Sequence, residues 1–237
     1  MQKSKPSVSL IMPAYNEEQR IMKVMPNYYG FLKNNFPDFE FIIVCNNCSD
    51  KTPEIVEKFS RKDKRIIFMN IPRKIGKGGA VIEGFKKASK DLIGFTDADS
   101  STSPEQFCKL LAPIVEKNFD AAVASRALKE SIVPKKSLTR VILGRFFSVL
   151  VKVLFGLRIN DTQCGAKLFR KKPLKSILSS LKITGWEFDV EVLWKLSKKG
   201  FSIAEVPITW SDDEGTKLNP VSDSFRMFVG LLKLRFS

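Results

Sequence analysis

Short apolar runs rich in β-branched residues alternate along the first half of the chain with segments of helical periodicity. The apolar runs predict five strands, which are Val8–Met12, Phe39–Cys45, Arg65–Met69, Leu92–Phe95 and Ala121–Ala124. The segments between them predict four helices, which are Glu17–Phe36 with a kink at Pro26, Pro53–Arg61, Gly79–Ser89 and Pro104–Lys117. This alternation is typical of an α/β fold with a mostly parallel central sheet flanked by helices.

The pattern changes after residue 126. A long basic and apolar stretch is followed by a predicted helix, a predicted strand and an apolar-basic tail, at Trp186–Lys199, Phe201–Val206 and Phe225–Phe236. The sequence has no internal repeat. We therefore predict one domain over residues 1–237, in which residues 126–237 elaborate the half formed by residues 1–125.

Two apolar segments are interrupted by isolated cations. In Val141–Leu157 these are Arg145 and Lys152, so the segment is too polar to be read as a membrane span, and the tail Phe225–Phe236 has the same character. Both segments fit amphipathic helices that lie in a membrane interface, although they could instead pack on the protein's own sheet. The basic flanks favour the membrane. Since Met1–Ser9 has no signal-peptide core, we expect peripheral attachment to the cytoplasmic face of a membrane.

Composition and charge exclude several classes of function. The chain has 237 residues, 43% of them hydrophobic, which excludes disorder. Its net charge is +15, and residues 61–90 (+8) and 129–182 (+11) carry the excess of cations, which indicates a polyanionic partner. Neither segment shows the aromatic or zinc-finger spacing of a nucleic-acid reader, so a phosphate-rich ligand or a lipid surface is favoured. The chain contains no histidine, which excludes serine–histidine triads and histidine bases.

The four cysteines allow more than one interpretation. Cys45 and Cys48 have the spacing of a thioredoxin-type redox pair at the end of a predicted strand. The usual neighbouring residues are missing, and Cys108 and Cys164 form no second pair for a structural zinc site. Free thiols in a reducing cytosol are the simpler interpretation.

Two carboxylates follow the predicted strand Leu92–Phe95. Asp97 and Asp99 are separated by one alanine, and they would lie at the carboxyl end of the sheet, where open α/β sheets bind ligands. They could be ordinary turn acids. They could equally hold Mg²⁺ or Mn²⁺, ions that prefer oxygen ligands and accept diphosphate oxygens in their remaining positions.

Two further segments favour the phosphate interpretation. In the run Val8–Glu18, a predicted strand is followed by a Pro-Ala-Tyr-Asn turn. Gly76–Gly79 is predicted as a cationic glycine-rich loop before a helix, where backbone amides could bind phosphate. Together with the Asp97 motif they resemble family 2 glycosyltransferases of the GT-A (Rossmann-like) fold. The resemblance continues through five ordered blocks, which are Ser125–Arg126, Asp161–Phe169, Trp186–Glu191, Ile203–Pro207 and Trp210–Leu218.

Within that family the chain looks most similar to the enzymes that glucosylate dolichyl phosphate, followed by those that mannosylate it. The resemblance implies an inverting, metal-dependent transfer of glucose from UDP-glucose to a dolichol-type polyprenyl phosphate at a membrane surface. The alternative within the family is a mannosyltransferase that uses GDP-mannose. The non-enzymatic alternative is a module that binds anionic lipid or nucleic acid, which would tolerate mutation of Asp97 and Asp99.

The resemblance also implies roles for single residues. The positions matched to nucleotide-sugar binding are Pro13, Ala14, Tyr15, Glu17, Cys45, Asn46, Asp50, Lys77, Asp97 and Lys217. Those matched to the metal are Asp97 and Asp99, and those matched to the acceptor are Arg126, Arg140, Gln163 and Lys167. Thr216 and Lys217 would close over the diphosphate.

Two positions need comment. Asp189 lies where many members of the family carry a base, but an acceptor phosphate is already anionic, so we expect Asp189 to position the site or bind sugar hydroxyls. Cys45-Asn46 replaces the Asp-Asp pair of many relatives, which removes a carboxylate that would accept the imino proton of the base. The amide oxygen of Asn46 could still accept a hydrogen bond.

Overall fold

The computed structural model describes residues 6–134, 138–211 and 220–236. The strands in this part of the chain are β1 (Val8–Ala14), β2 (Phe39–Asn46), β3 (Ile66–Ile71), β4 (Leu92–Thr96), β5 (Ala121–Ser125), β6 (Ala166–Arg170) and β7 (Ile203–Pro207). The helices are α1 (Glu18–Asn35), α2 (Thr52–Ser60), α3 (Gly76–Lys87), α4 (Pro104–Cys108), α5 (Leu111–Glu116), α6 (Leu138–Phe155), α7 (Lys171–Leu178), α8 (Phe188–Lys198) and α9 (Pro220–Phe236).

The seven strands form one sheet in the order β3-β2-β1-β4-β6-β5-β7. All neighbours are parallel except β6, which runs antiparallel to both β4 and β5. The predicted mostly parallel α/β sheet is therefore confirmed. Strands from residues 1–125 and from residues 126–237 pair directly within it, since β4 and β5 both pair with β6.

Alternation along the strands divides the core between the two faces of the sheet. In β1, Leu10 and Met12 pack with apolar side chains of α1 and α2, whereas Ile11 packs on the other face with α3 and α8. The second face is also covered by α6, α7 and α9, whose buried members include Val151 and Leu231. The predicted helices of the first half thus lie on both faces, as crossover connections require.

The predicted helix Pro104–Lys117 is wrong as a single element. The structure has two short helices there, α4 and α5, with Lys109 and Leu110 between them. Pro113 explains the break, because proline has no backbone N–H and its ring clashes with the carbonyl of the residue four positions earlier, here Lys109. Pro26, by contrast, lies within a continuous α1.

The strand β6 and the helix α7 were not indicated by the sequence pattern. The strand Ala166–Arg170 has a lysine at its second position, and this lysine is completely buried. A buried lysine is rare, so the pattern of charges in this segment predicts a surface position although the strand is in the interior.

The two segments proposed for the membrane interface are both helical. On α6 the side chains of Ile142, Phe146, Val149 and Val153 are all more than half exposed, and their spacing places them on one side of the helix. The opposite side is buried, where Phe155 packs against Trp194 with ring centroids 5.1 Å apart. Within the described residues, no helix combines the length and the apolar character needed to cross a membrane.

Candidate active site

The predicted site residues that the structure describes lie near the carboxyl edge of the sheet, close to the point where the strand order changes between β1 and β4. In open α/β sheets this switch in strand order opens a crevice for ligands. Three turns at this edge contain a residue with positive φ: Asn16 (53°) after β1, Asn47 (53°) after β2 and Ser100 (63°) after β4. Left-handed backbone at residues other than glycine is uncommon and concentrates at functional turns.

The turn after β1 carries the first predicted donor residues. Pro13 and Ala14 end the strand, and Tyr15 is 49% exposed. The Glu17 carboxylate accepts a hydrogen bond from Arg20 Nε at 2.6 Å. The turn therefore presents an exposed aromatic ring and an acid that is held by the first turn of α1.

Asp50 joins this turn to the next one. Its Oδ2 accepts a hydrogen bond from the Glu18 amide at 3.1 Å, and its Oδ1 accepts one from the Thr52 amide at 3.0 Å. One carboxylate thus binds free N–H groups at the starts of both α1 and α2. Asp50 lies beside the predicted donor turn, and these contacts support the backbone there.

The amide of Asn46 holds the loop that leads to the glycine-rich segment. Its Nδ2 donates to the Arg73 carbonyl at 2.8 Å, and its Oδ1 accepts from the Ile75 amide at 3.4 Å. Cys45, one residue earlier in β2, is completely buried. In this structure, therefore, the Cys45-Asn46 pair contributes packing and loop support at the place where a base contact was expected.

Lys77 and Asp97 meet at the centre of the site. Lys77 Nζ lies 2.6 Å from Asp97 Oδ1, and the two side chains are 13% and 23% exposed. Burial lowers the pKa of Lys77, but attraction by Asp97, Asp189 and Asp99 outweighs it and raises the pKa overall. Burial likewise raises the pKa of Asp97, and Lys77 offsets only part of this effect. Each group therefore depends on the other to remain charged in a partly desolvated place.

Close packing fixes the backbone that carries Lys77. Gly76 has a φ of 74°, and a Cβ at this position would lie 2.3 Å from the Thr184 carbonyl oxygen. A Cβ on Gly78 would lie 2.5 Å from Cβ of Phe188 in α8. Lys77 Nζ also lies 4.9 Å from the centre of the Trp186 ring. The helix predicted from Gly79 in fact begins at Gly76, so the expected loop is the first turn of α3. Its glycines pack this turn against the segment before α8 and fix the backbone from which the Lys77 side chain extends.

Asp97 is also held from the acceptor side of the sheet. Its amide donates to the Gly165 carbonyl at 3.1 Å, and a Cβ at Gly165 would lie only 1.8 Å from Asp97 Oδ2. Asp99 accepts a hydrogen bond from the Ser101 amide at 3.0 Å. Gly165 is required here because any side chain would displace the carboxylate.

The two aspartates fit a hard divalent cation in part. Carboxylate oxygens are the ligands that Mg²⁺ and Mn²⁺ prefer, and a positive group, the Lys77 ammonium, already contacts Asp97. Among the described residues no group of three or more Asp, Glu, Cys or His side chains could hold a metal ion. A cation on Asp97 and Asp99 would need ligands from a bound substrate or from water.

A second lysine–aspartate pair lies deeper. Lys167 Nζ is 2.6 Å from Asp189 Oδ1, and the side chains are 0% and 2% exposed. Lys167 also donates to the Cys164 carbonyl at 2.7 Å and lies 5.2 Å from the centre of the Phe95 ring. Burial raises the pKa of Asp189 more than the two lysines, Lys167 and Lys77, lower it. Lys167 therefore presents no surface to an acceptor in this structure, and Asp189 is sealed from solvent.

Arg126 forms the acceptor side of the site with Asp161. Its Nε and one terminal nitrogen donate to the two carboxylate oxygens at 2.7 and 3.0 Å, and its amide adds a bond of 2.9 Å. Burial alone would raise the pKa of Asp161, but Arg126 outweighs it and holds that pKa well below its usual range. The guanidinium also faces the Trp210 ring at 5.5 Å. Arg126 is thus fixed in orientation and remains 23% exposed.

Two polar atoms beside this pair have no hydrogen-bond partner within the described residues. They are Nε2 of Gln163 and Oγ of Ser125. The Gln163 amide donates to the same Asp161 carboxylate at 3.1 Å, and Ser125 directly precedes Arg126. A buried polar group without a partner is costly, so each of these atoms has unused hydrogen-bonding capacity beside the Arg126–Asp161 pair.

Some predicted residues fall outside the description. Arg140 lies in the first turn of α6, but its side chain is outside the described residues, as are Thr216 and Lys217 altogether. Sequence reasoning did not assign roles to Asp161, Trp186 and Trp210. All three belong to the blocks that carry the resemblance, but only the structure pairs them with Arg126 and Lys77.

Comparison with known proteins places this arrangement in a family. Residues 9–178 match the family described as Glycosyl transferase family 2. The chain is 32% identical to the dolichyl-phosphate beta-glucosyltransferase of Dictyostelium discoideum, over 97% of this chain and 74% of that protein. It is 31% identical to the protein of the same name from Saccharomyces cerevisiae, again over 97% and 74%.

Solved structures agree on the fold. Glucosyl-3-phosphoglycerate synthase from Mycobacterium tuberculosis, solved in complex with Mn²⁺, UDP and phosphoglyceric acid, superimposes with a TM-score of 0.74. The match covers 97% of this chain and 78% of that chain at 19% identity. The resemblance that the sequence blocks suggested is confirmed. The chain is a glycosyltransferase, and it belongs to glycosyl transferase family 2.

Proposed function

We propose that this glycosyltransferase moves glucose from UDP-glucose to a dolichol-type polyprenyl phosphate, with inversion at the anomeric carbon. The observation that carries the proposal is that the site presents two fixed, partly exposed cations: Lys77, which contacts Asp97 at 2.6 Å, and Arg126, which Asp161 orients and which is 23% exposed. Such a site suits two substrates that each bring phosphate. The names of the relatives, which span nearly the whole chain, support glucose and dolichyl phosphate as the pair.

On the donor side, Asp97 and Asp99 would hold Mg²⁺ or Mn²⁺, and diphosphate oxygens would complete the coordination. When bound, the cation would stabilise the negative charge on the departing nucleoside diphosphate. Lys77 supplies a further positive charge at the same oxygens, and Tyr15 offers an exposed ring to the nucleotide. The solved neighbour with Mn²⁺ and UDP supports a divalent cation and a uridine nucleotide.

On the acceptor side, Arg126 would bind the lipid phosphate. Asp161 occupies two of the five N–H groups of its guanidinium, so the others remain for phosphate oxygens. Gln163 Nε2 is a second donor in need of an acceptor, and Arg140 is a third candidate. The task of these groups is to bring an anionic phosphate oxygen to the anomeric carbon despite repulsion by the donor diphosphate.

No strong base is required for this reaction, because the attacking phosphate oxygen carries no proton that must be removed. Asp189 is sealed against Lys167 and is therefore assigned a positioning role. Residues 1–125 would mainly bind the donor and residues 126–237 the acceptor. The chain has no histidine, and the proposed mechanism needs none.

The membrane would present the lipid through α6. Its exposed apolar side chains, Ile142, Phe146, Val149 and Val153, would enter the interface, and the cations Arg145 and Lys152 on the same helix would face anionic headgroups. The protein would act peripherally on the cytoplasmic face, at the endoplasmic reticulum in a eukaryote or at the plasma membrane in an archaeon or bacterium. Nucleic acid is not proposed as a partner.

The direct test is a panel of donors. The purified protein is incubated with a short polyprenyl phosphate, Mg²⁺ or Mn²⁺, and UDP-glucose, GDP-mannose or UDP-N-acetylglucosamine, and the glycolipid product is identified by mass spectrometry. We expect product from UDP-glucose. Product from GDP-mannose alone would replace the donor and keep the mechanism.

A matched control separates catalysis from binding. The Asp97→Asn variant should lose transfer while binding vesicles as the parent protein does. If no donor yields product although the folded parent protein binds vesicles, the acceptor is not a polyprenyl phosphate and the proposed glucosyl transfer to this lipid is wrong.

A further inference from the structure

Lys77 occupies a position that the proposed function assigns to a metal ion. Its ammonium nitrogen lies 2.6 Å from Asp97 Oδ1, and this oxygen belongs to one of the two carboxylates that would ligate the cation. The other Asp97 oxygen is packed against Gly165. A divalent ion that binds Asp97 through Oδ1 therefore meets the positive charge of Lys77 at the same oxygen and competes with it.

The pair is built so that displacement of the lysine is feasible. Both side chains reach solvent, with exposures of 13% and 23%, in contrast to a fully buried pair whose partners cannot separate without a large penalty. The first turn of α3, which carries Lys77, is held by the tight packing of Gly76 and Gly78, so the movement is confined to the lysine side chain. That side chain has four flexible methylene groups.

Lys77 also has other favourable surroundings. Asp189 and Asp99 both attract it, and the face of the Trp186 ring lies 4.9 Å from its nitrogen. A lysine that leaves Asp97 is thus not left unpaired in the site. A bound diphosphate would provide an additional anionic partner.

The ligand count makes the competition matter. The described residues contain no cluster of three or more acidic, cysteine or histidine side chains for a metal ion, so Asp97 and Asp99 alone form an incomplete site. Mg²⁺ and Mn²⁺ bind such sites together with substrate phosphates. A resident ammonium on one of the two carboxylates weakens the site further until the diphosphate arrives.

We propose that Lys77 is a resident counter-ion that competes with the divalent cation for Asp97 and so makes metal binding dependent on a nucleoside diphosphate. This inference rests on the proposed function, because it takes the metal site at Asp97 and Asp99 from there. The diphosphate acts twice: its oxygens complete the coordination of the metal, and they accept Lys77 when it leaves Asp97. Metal and nucleotide then enter as a unit.

The experiment measures Mn²⁺ affinity without turnover, by isothermal titration calorimetry or by electron paramagnetic resonance of free Mn²⁺, with and without UDP. The parent protein is compared with Lys77→Met and Lys77→Gln. Lys74→Met is the matched control, because Lys74 is an exposed lysine just before α3 and its loss changes the net charge equally. Circular dichroism checks that each variant is folded.

The expected results follow from the competition. The parent protein and Lys74→Met bind Mn²⁺ weakly alone, and UDP tightens binding. Both Lys77 variants bind Mn²⁺ at least about tenfold more tightly than the parent without UDP, because one positive charge in contact with a ligand has been removed. The gain in affinity from UDP is smaller in these variants than in the parent.

Two results would overturn the inference in distinguishable ways. Equal Mn²⁺ affinity of the parent and the Lys77 variants without UDP shows that the lysine does not compete, and leaves the proposed metal site intact. Absence of Mn²⁺ binding by every form even with UDP removes the metal site itself and with it the metal-dependent part of the proposed function.

Discussion

Two lysine–aspartate pairs with the same contact distance of 2.6 Å lie in one site and differ in their access to water. Lys77–Asp97 is partly open, with side-chain exposures of 13% and 23%, whereas Lys167–Asp189 is sealed at 0% and 2%. An open pair can exchange its partner for a ligand at low cost, and a sealed pair cannot. The Lys77–Asp97 pair is therefore suited to exchanging its partner for a ligand, and the Lys167–Asp189 pair to holding the interior rigid.

The largest expected effect comes from breaking the sealed pair. Lys167→Met leaves the Asp189 charge buried without a partner, which should lower the free energy of unfolding by about 3–5 kcal/mol. Lys77→Met should cost less, about 1–2 kcal/mol, because Asp97 can be hydrated. Urea denaturation followed by circular dichroism measures both. In the double variant Lys167→Met, Asp189→Leu most of the loss should be recovered.

Equal losses for Lys167→Met and Lys77→Met would contradict this comparison, since they would mean that burial does not distinguish the two pairs.

The next effect concerns the open pair. Asp97→Asn should lower kcat by about 10²–10³-fold, because it removes charge that stabilises the departing diphosphate. The free energy of unfolding of this variant should fall by no more than the loss of about 1–2 kcal/mol expected for Lys77→Met, because Lys77 keeps the attraction of Asp189 and Asp99. The measurement is a steady-state assay with UDP-glucose beside a denaturation curve. A variant with full activity would show that no metal acts through Asp97.

The sequence predicts part of the partly open pair, Lys77 and Asp97, and little of the sealed pair, Lys167 and Asp189. Asp97 and Asp99 were expected at the carboxyl edge because they follow a strand with a clear apolar pattern, and the resemblance placed Lys77 near the nucleotide sugar. The contact between Lys77 and Asp97 was not predicted, since it depends on how the first turn of α3 packs against Thr184 and Phe188.

The contact between Lys167 and Asp189 could not be predicted from the pattern of residues in the sequence. The resemblance assigned Lys167 to the acceptor, a role that requires an accessible side chain, and lysines are mostly exposed. Its burial follows from the position of β6 between β4 and β5, which is a long-range property. The break between α4 and α5 could have been predicted, because Pro113 is visible in the sequence.

A smaller effect should come from the Arg126–Asp161 pair on the acceptor side, whose side chains are 23% and 9% exposed. Arg126→Lys keeps the charge but loses the two-point contact with Asp161. We expect kcat/KM for the polyprenyl phosphate to fall by about 10- to 100-fold, with little change in KM for the nucleotide sugar. A change confined to the donor KM would place Arg126 on the wrong substrate.

The smallest effect concerns how readily a reagent in solution reaches the cysteine thiols on the two sides of the site. A hydrogen bond from Cys45 lowers the pKa of the half-buried Cys48 thiol to about 7, despite burial, whereas burial raises the pKa of Cys164 to about 11. Since the thiolate is the reactive form, alkylation of Cys48 by iodoacetamide should rise with pH and reach half its maximal rate near its pKa of about 7.

Cys164, next to the sealed pair, should not react in the folded protein at this pH. Mass spectrometry of peptides from the alkylated protein distinguishes the two sites. Alkylation of Cys164 as fast as that of Cys48 would show that the inner region opens readily.

The reversed direction of β6 has a consequence for how such a site is assembled. In a parallel strand, the residues before it would lie at the opposite edge of the sheet, about 17 Å away for five residues. Because β6 runs antiparallel, the segment 161–165 that precedes it lies at the edge where Asp97 follows β4, and the Gly165 carbonyl accepts a hydrogen bond from the Asp97 amide. The reversed strand brings Asp97 and Gly165, which are more than sixty positions apart in the sequence, to the same edge of the sheet. The loops between them can therefore vary in length, whereas the distance between Asp97 and Gly165 is fixed by the pairing of β4 with β6.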